Sequence, residues 1–307
     1  MMHSITFGPL SVWNMFDKTV SYAAGDRVRY GAKIYQFIAA HAAGPWLGTD
    51  AEDITRQVGI RNTREDWGLV LTSQPVFNPP AQKTRILDPP GGDGVIDLSK
   101  AVRGYPVYKN RTGNFTFVSP ERFPVSDAMY EQILDFIHGQ TMQAERSDDQ
   151  GWYYQGRFTV DKNKSRPQYG EIVIGYSVEP YKWAMQDSLD TDWLWDPFSF
   201  IDGVIRPAIF GGIEIGTTAA PLEFDLQAAG RAPVKPEFSA KSGESNISIS
   251  YGGTDPETIT AGGNGKTIAG LILYGGKWLL NGQATTVSAV TASGNGHLSI
   301  LFKPGRL

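Results

Sequence analysis

Turn residues punctuate this chain so often that its C-terminal third reads as a series of short strands. Between residues 204 and 307 turn signals recur about every ten residues. They include Gly211-Gly212, Gly243, Gly252-Gly253, Gly262-Gly263-Asn264-Gly265, Gly275-Gly276, Asn281-Gly282 and Gly294-Asn295-Gly296. Glycine and asparagine tolerate the positive φ that tight turns need. Between the turns, Ile247-Ser248-Ile249-Ser250-Tyr251 alternates apolar with polar residues and Leu298-Ser299-Ile300-Leu301-Phe302 is apolar-rich. That spacing predicts an all-β sandwich over 204–307. A content of Gly 35 and Pro 19 suits the same turn-rich class.

A second stretch, Lys83 to Phe117, reads as a meander of short strands. Lys83 to Leu87 is stopped by Asp88-Pro89-Pro90, because proline lacks a ladder donor. Gly91-Gly92-Asp93-Gly94 turns the chain, and Val95-Ile96-Asp97-Leu98 starts a return strand. Tyr105 to Tyr108 and Asn114 to Val118 bracket a predicted turn at Lys109-Asn110-Arg111-Thr112-Gly113. The glycine run does not match G-x-G-x-x-G and no helix follows it, so it is no phosphate loop.

One helix is predicted after the meander. Ser126 is an N-cap, Asp127 suits the positive helix start, and Gly139 ends it. Met129, Ile133, Phe136 and Ile137 fall on one side, to pack across a sheet. Strands are expected at Ser4 to Phe7, Gln140 to Glu145, Trp152 to Asp161 and Tyr169 to Val178, with a hairpin turn at Asp148-Asp149-Gln150-Gly151. Residues 183–201 hold three of the eight tryptophans, Trp183, Trp193 and Trp195, followed by Phe198 and Phe200. Such clustered aromatics suit a seam or an interface.

Composition shifts between residues 17 and 65. Arg27 to Tyr30 alternates, Gly31-Ala32 turns, and Ile34 to Ile38 continues as a strand, a hairpin with glycine at the first central position. Removing this segment would join Ser4–Phe16 to Asp66–Gln74, so residues 17–65 read as a small module inserted into a hairpin. So small a module needs aromatics such as Tyr30, Tyr35, Phe37 and Trp46 simply to form a core. Tyr30 and Phe37 lean to the core by burial statistics, while Tyr35 and Trp46 are as readily exposed as buried.

Catalytic chemistry is not legible. The four histidines, His3, His41, His138 and His297, are scattered, and Cys is 0, so a His metal cluster has little support and thiol chemistry is excluded. The carboxylate pairs Asp148-Asp149 and Asp192 with Asp196 sit in turn or helix-start contexts. No catalytic, cofactor or metal residue is assigned, and a non-enzyme is expected. A net charge of −4 argues against a nucleic-acid binder. No apolar run reaches membrane-span length, and the start MMHSITFGPL lacks a signal-peptide pattern. A soluble product assembled in a reducing cytoplasm is expected.

Against this background the motif order resembles the distal tail protein (Dit) family of long non-contractile phage tails. The resemblance is carried by Asp88-Pro89-Pro90-Gly91-Gly92-Asp93-Gly94, then Ile96-Asp97-Leu98, Asn110-Arg111 and Phe115-Thr116-Phe117. Tyr154-Gln155-Gly156-Arg157-Phe158, Glu179-Pro180-Tyr181-Lys182-Trp183 and Asp192-Trp193-Leu194-Trp195-Asp196-Pro197-Phe198 continue it. It covers Ser4 to Phe16 and Asp66 to Ile205, and the C-terminal third loosely. The family's turn is usually Val-Pro-Gly-x-Asp-Gly, from which Asp88-Pro89-Pro90-Gly91-Gly92-Asp93-Gly94 is a small departure. The insert separately resembles small chitin-binding-type carbohydrate-binding modules through Tyr22, Gly25-Asp26, Val28, Tyr30, Tyr35 and Trp46.

These resemblances imply a mainly β protein with three parts. Residues 1–16 plus 66–203 would form a ring-building domain with one helix. Residues 17–65 would be an inserted carbohydrate-binding-like module, and 204–307 a galectin-like sandwich. The implied function is a baseplate or tail-tip hub of a virion, a homohexameric ring joining the tail tube protein to the tail-tip proteins. Receptor-binding protein and host cell-wall polysaccharide are further implied partners, with no nucleic acid, no membrane insertion and no cofactor. Trp46, Tyr35 and Tyr30 would contact glycan, and Trp183, Trp193, Trp195 and Phe198 would form interface. A free adhesin without a ring and a glycan hydrolase are the alternatives.

Overall fold

The computed structural model describes residues 3–10, 16–18, 20–31, 33–101, 103–119, 127–161, 164–166, 169–185, 198–199, 204–205, 212–222, 232–251, 255–275, 277–280, 283–284 and 290–307. The fold is mainly β, with one helix among the described residues. In chain order the first elements are β1 (Ile5–Gly8), β2 (Arg27–Tyr30), β3 (Lys33–Phe37), β4 (Ala51–Asp53), β5 (Arg61–Asn62), β6 (Val70–Leu71), β7 (Ile86–Leu87) and β8 (Ile96–Asp97). Then come β9 (Arg111–Val118), α1 (Asp127–Ile137), β10 (Thr141–Arg146), β11 (Trp152–Val160), β12 (Lys164–Arg166), β13 (Tyr169–Val178) and β14 (Lys182–Ala184). The chain divides into two compact units: 1–80 with 110–185, and 81–109 with 186–307.

The first unit is built on an antiparallel sheet in the order β5-β1-β10-β11-β13-β9-β6. Alternation places Phe115, Phe117, Phe158, Ile172 and Ile174 on one buried face. The helix α1 closes that core with Ile133 and Ile137, and Met129, Leu134 and Phe136 pack at its margin. It ends where the sequence places its stop: Gly139 takes φ 75. Ser126 lies outside the described residues. The β10–β11 hairpin also forms as expected around Asp148-Asp149-Gln150-Gly151.

Three expectations change. Arg111-Thr112-Gly113 is not a turn: all three continue β9, which pairs with β13 from Arg111↔Val178 to Val118↔Glu171. The glycine serves close approach instead, because the Tyr176 hydroxyl crosses over Gly113 to accept the Asn78 N–H at 2.9 Å. Residues 105–108 return instead along 81–83, through the bridge Gln82↔Tyr108. That hairpin, 81–109, groups with the C-terminal unit, whereas its position in the sequence had joined it to the N-terminal one. Finally, the polar stretch 50–64, to which the sequence pattern assigns no strand, forms two. It supplies β4, which extends the β2-β3 hairpin to three strands, and β5, which pairs with β1 through Thr6↔Asn62 and Phe7↔Arg61. Arg61 and Asn62 therefore lie in the parent sheet, inside the range expected for the graft.

In the second unit two four-stranded sheets carry the sandwich pattern. One joins Ile213–Ile215, Gly296–Leu301, Glu237–Ala240 and Lys266–Thr267 in that order. The other joins Ala220–Pro221, Val290–Ser293, Ile247–Tyr251 and Glu257–Ile259. Phe238, Leu298 and Ile300 from one, and Ile247, Ile249 and Val290 from the other, are buried. Gly252-Gly253 and Asn281-Gly282 lie outside the described residues. Among the described residues no helix is long and apolar enough to cross a membrane.

Candidate functional site

The insert presents a continuous group of aromatic rings. The β2-β3 pairing sets Val28 opposite Tyr35 and Tyr30 opposite Lys33. Val28 and Phe37 are buried on one face of the hairpin, and Ile34 is buried on the other, where it clusters with Ile54 and Ile60. Phe37 stacks on Tyr22 at 4.9 Å, and Tyr22 on Phe16 at 5.5 Å. His41 is buried beside them, its Nδ1 2.5 Å from Asp50 Oδ2. These residues are core.

Trp46 lies at the outer margin of this group and is half-buried. Tyr30 stacks on it at 4.5 Å with planes 15° apart. Tyr35 meets it edge-on at 4.8 Å, and Phe16 at 5.1 Å. Trp46 is thus wedged between rings. Tyr30 is different: one face rests on Trp46, and the residue is 45 % exposed. It was expected to lean toward the core, but it ends β2, just before the Gly31 turn at φ 61, where its ring lies over the edge of the module. Beside Tyr35, Lys33 Nζ donates to Asp53 at 2.8 Å, and Asp53 is the direct cross-strand partner of Tyr35. Tyr30 is the cross-strand partner of Lys33, so its exposed ring lies next to this ion pair.

The expected interface segment is only partly described. Trp183 lies on β14 opposite Tyr153, is half-buried, and donates its indole N–H to Glu179 at 2.7 Å. Phe198 belongs to a two-residue strand, Phe198–Ser199, paired with Val204–Ile205. Trp193 and Trp195, and the carboxylates Asp192 and Asp196, lie outside the described residues.

The junction that sequence reasoning missed is centred on Arg111. It is 5 % exposed. Its Nε donates to the Pro180 carbonyl at 2.8 Å, and Nη1 to the carbonyls of Asn78 at 3.1 Å and Phe77 at 3.4 Å. The guanidinium lies over the Tyr154 ring, 5.4 Å from its centroid. Burial pushes the arginine pKa below its usual value, against the opposing influence of Tyr154 and Tyr176, while burial raises both phenols. Phe77 stacks on Tyr154 at 3.9 Å, and Phe115 on Tyr176 at 4.9 Å. The signal was present: Arg111, Gly113, Phe115 and Phe117 share one parity, so a strand through all four points the arginine into the core.

Among the described residues no group of His, Cys, Asp and Glu could hold a metal ion. A shallow pocket of about 380 Å³ is lined by Thr72, Val118, Ser119 and Glu171, without a histidine.

No family model matches the chain, and no curated protein matches it. Among solved structures it is similar to the Dit protein of phage SPP1, described as a paradigm of the hub adsorption apparatus in phages infecting Gram-positive hosts. The identity is 12 % and the TM-score 0.46, over 83 % of this chain and 96 % of that one. It is also similar to a chain of the phage P2 baseplate in its activated conformation with calcium, at 7 % identity and a TM-score of 0.32, over 100 % and 99 % of the two chains. The same baseplate with strontium gives 9 % identity and a TM-score of 0.31, over 85 % and 95 %.

Proposed function

We propose that this chain is a structural hub of a phage or prophage tail tip, a distal tail protein forming a hexameric ring between the tail tube and the tip proteins. The observation that supports this reading is the Arg111 junction. The sequence resemblance rests on short motifs far apart in the chain. Three of them, Asn110-Arg111, Tyr154-Gln155-Gly156-Arg157-Phe158 and Glu179-Pro180-Tyr181, touch at one guanidinium. Weak motifs that meet in space are parts of one structural unit, which chance matches need not be. Light scattering and electron microscopy of the purified chain should show a ring of six copies. A strict monomer at every concentration would sink the hub.

In this reading the insert adds a host-glycan contact, and Tyr30 rather than Trp46 offers the ring face. A single stacking contact is weak, but six copies facing one surface gain avidity. Tyr30→Ala should abolish retention of the assembled ring on cell-wall polysaccharide while costing about 1 kcal/mol of stability, the scale of one aromatic pair. Trp46→Ala should instead destabilise the insert by about 2–4 kcal/mol, because it removes the ring against which Phe16, Tyr30 and Tyr35 all pack. Retention that survives Tyr30→Ala would remove the glycan role. Retention by a monomeric chain would favour the free adhesin.

A further inference from the structure

The hairpin 81–109 buries almost nothing of its outer half. From Ala81 to Asp97 every residue except Pro89 is exposed. Four large apolar side chains stand in water there: Ile86 at 60 %, Leu87 at 51 %, Val95 at 62 % and Ile96 at 48 % exposure. The pairing itself is well formed, through Leu87↔Ile96 and Ile86↔Asp97, with Leu98 N–H donating to Arg85 at 2.8 Å. At the base, Lys83 N–H donates to Val107 at 2.7 Å, and Tyr105 is buried and stacks on Tyr274 at 4.8 Å. A two-stranded hairpin without a covered face is marginal in water. Contiguous exposed apolar side chains on so small an element mark an interaction surface.

Charge says what covers it. The outer half, 86–97, carries Asp88, Asp93 and Asp97 and no basic residue. The inner half carries Lys83, Arg85, Lys100, Arg103 and Lys109 and no acidic one. One arm therefore holds both members of a complementary pair, at opposite ends. Such an element fits another copy of itself, tip against base; where each base takes the tip of a different copy, the contact is heterologous, the kind that closes into a ring.

We propose that residues 81–109 are an assembly arm whose acidic, apolar outer half lies on the basic inner half of the arm of a second copy of this chain. The proposal deepens the hub reading and rests on it for ring closure. The contact buries Ile86, Leu87, Val95 and Ile96, and opposite charges select the register. Because the charges are exposed, association weakens as salt rises.

Charge reversal tests it on the full chain. Asp88→Lys with Asp93→Lys gives copies with basic tips and basic bases. Lys83→Glu with Arg85→Glu and Lys100→Glu gives copies with acidic tips and net acidic bases. Each variant alone should need at least tenfold more protein to associate than the wild type, with circular dichroism unchanged. An equimolar mixture should recover association, since the two kinds of copy can alternate around a ring. A mixture no better than either variant alone overturns the arm. Rings that form from either variant as readily as from the wild type also overturn it, and leave the hub reading standing. Alternating pairs or chains that never close keep the arm and remove the ring. Leu87→Ser with Ile96→Ser should lower association by a similar factor, and an undiminished ring would count against the apolar contact.

Discussion

Gly156→Ala should lower the stability of the first unit by about 3 kcal/mol or more, the upper range for forcing atoms into a packed site. At this size that is a fall in melting midpoint of roughly 6–12 °C. Gly156 pairs with Val178 in the middle of the sheet. A Cβ there would fall well inside 3.0 Å of the Ser177 carbonyl oxygen and the Val178 Cα. Both are backbone atoms, so no side chain can turn aside; β13 itself would have to move. Gly175 provides the comparison. Its added Cβ would meet Thr159 Oγ1 at 2.8 Å, and the backbone stays at 3.9 Å. A threonine can change rotamer, so Gly175→Ala should cost about 1 kcal/mol. Equal losses in the two variants would show that the close backbone approach at Gly156 is not what its motif requires.

Most of the sheet was legible because local signals agreed with tertiary ones. In the second half of β11 alternation coincides with burial: Phe158 and Val160 are buried, Arg157 and Thr159 are not. In α1 the 3.6-residue stripe and Gly139 mark the same helix that packing selects. The misreadings share a different physics. Arg61-Asn62 has no strand signature; β5 exists because β1 offers it an edge, with Asn62 Nδ2 donating to Thr6 Oγ1 at 2.8 Å. Lys109 to Gly113 has every turn residue, yet Arg111 and Gly113 are there for a buried hydrogen-bonding site and a passing hydroxyl, neither of which leaves a local pattern. The tie between insert and parent sheet was equally hidden. Arg29 Nη2 lies 2.5 Å from Glu145 Oε2, both nearly buried, across 116 positions of sequence. At the candidate glycan surface the residue types were legible, while the order of the rings was not. Periodicity places Tyr30 and Val28 on one face, but only the end of the strand explains why Val28 is buried and Tyr30 is not.

Arg111→Met should destabilise the first unit by about 3–5 kcal/mol, although methionine keeps much of the buried stem. The loss lies in the acceptors. Pro180, Asn78 and Phe77 each give a carbonyl to this guanidinium, and a buried carbonyl without a donor costs about 1–3 kcal/mol. The three come from separate stretches of chain, so no local rearrangement supplies a replacement. Arg111→Lys should recover only part of the loss, because a single ammonium cannot reproduce the planar fork that reaches them together. Denaturant midpoints for the two variants measure this order directly. The consequence for assembly runs through Pro180. Freed from Arg111, it no longer fixes the entry to β14, which carries Trp183 and pairs with β11 at Trp152 and Tyr153. Amide exchange at the β11–β14 pairing should therefore rise in Arg111→Met before it rises in β13, and ring formation should weaken with it if Trp183 is an interface residue. A variant within about 1 kcal/mol of wild type, with β14 still protected, would show that the meeting of the three motifs at Arg111 is incidental to the fold.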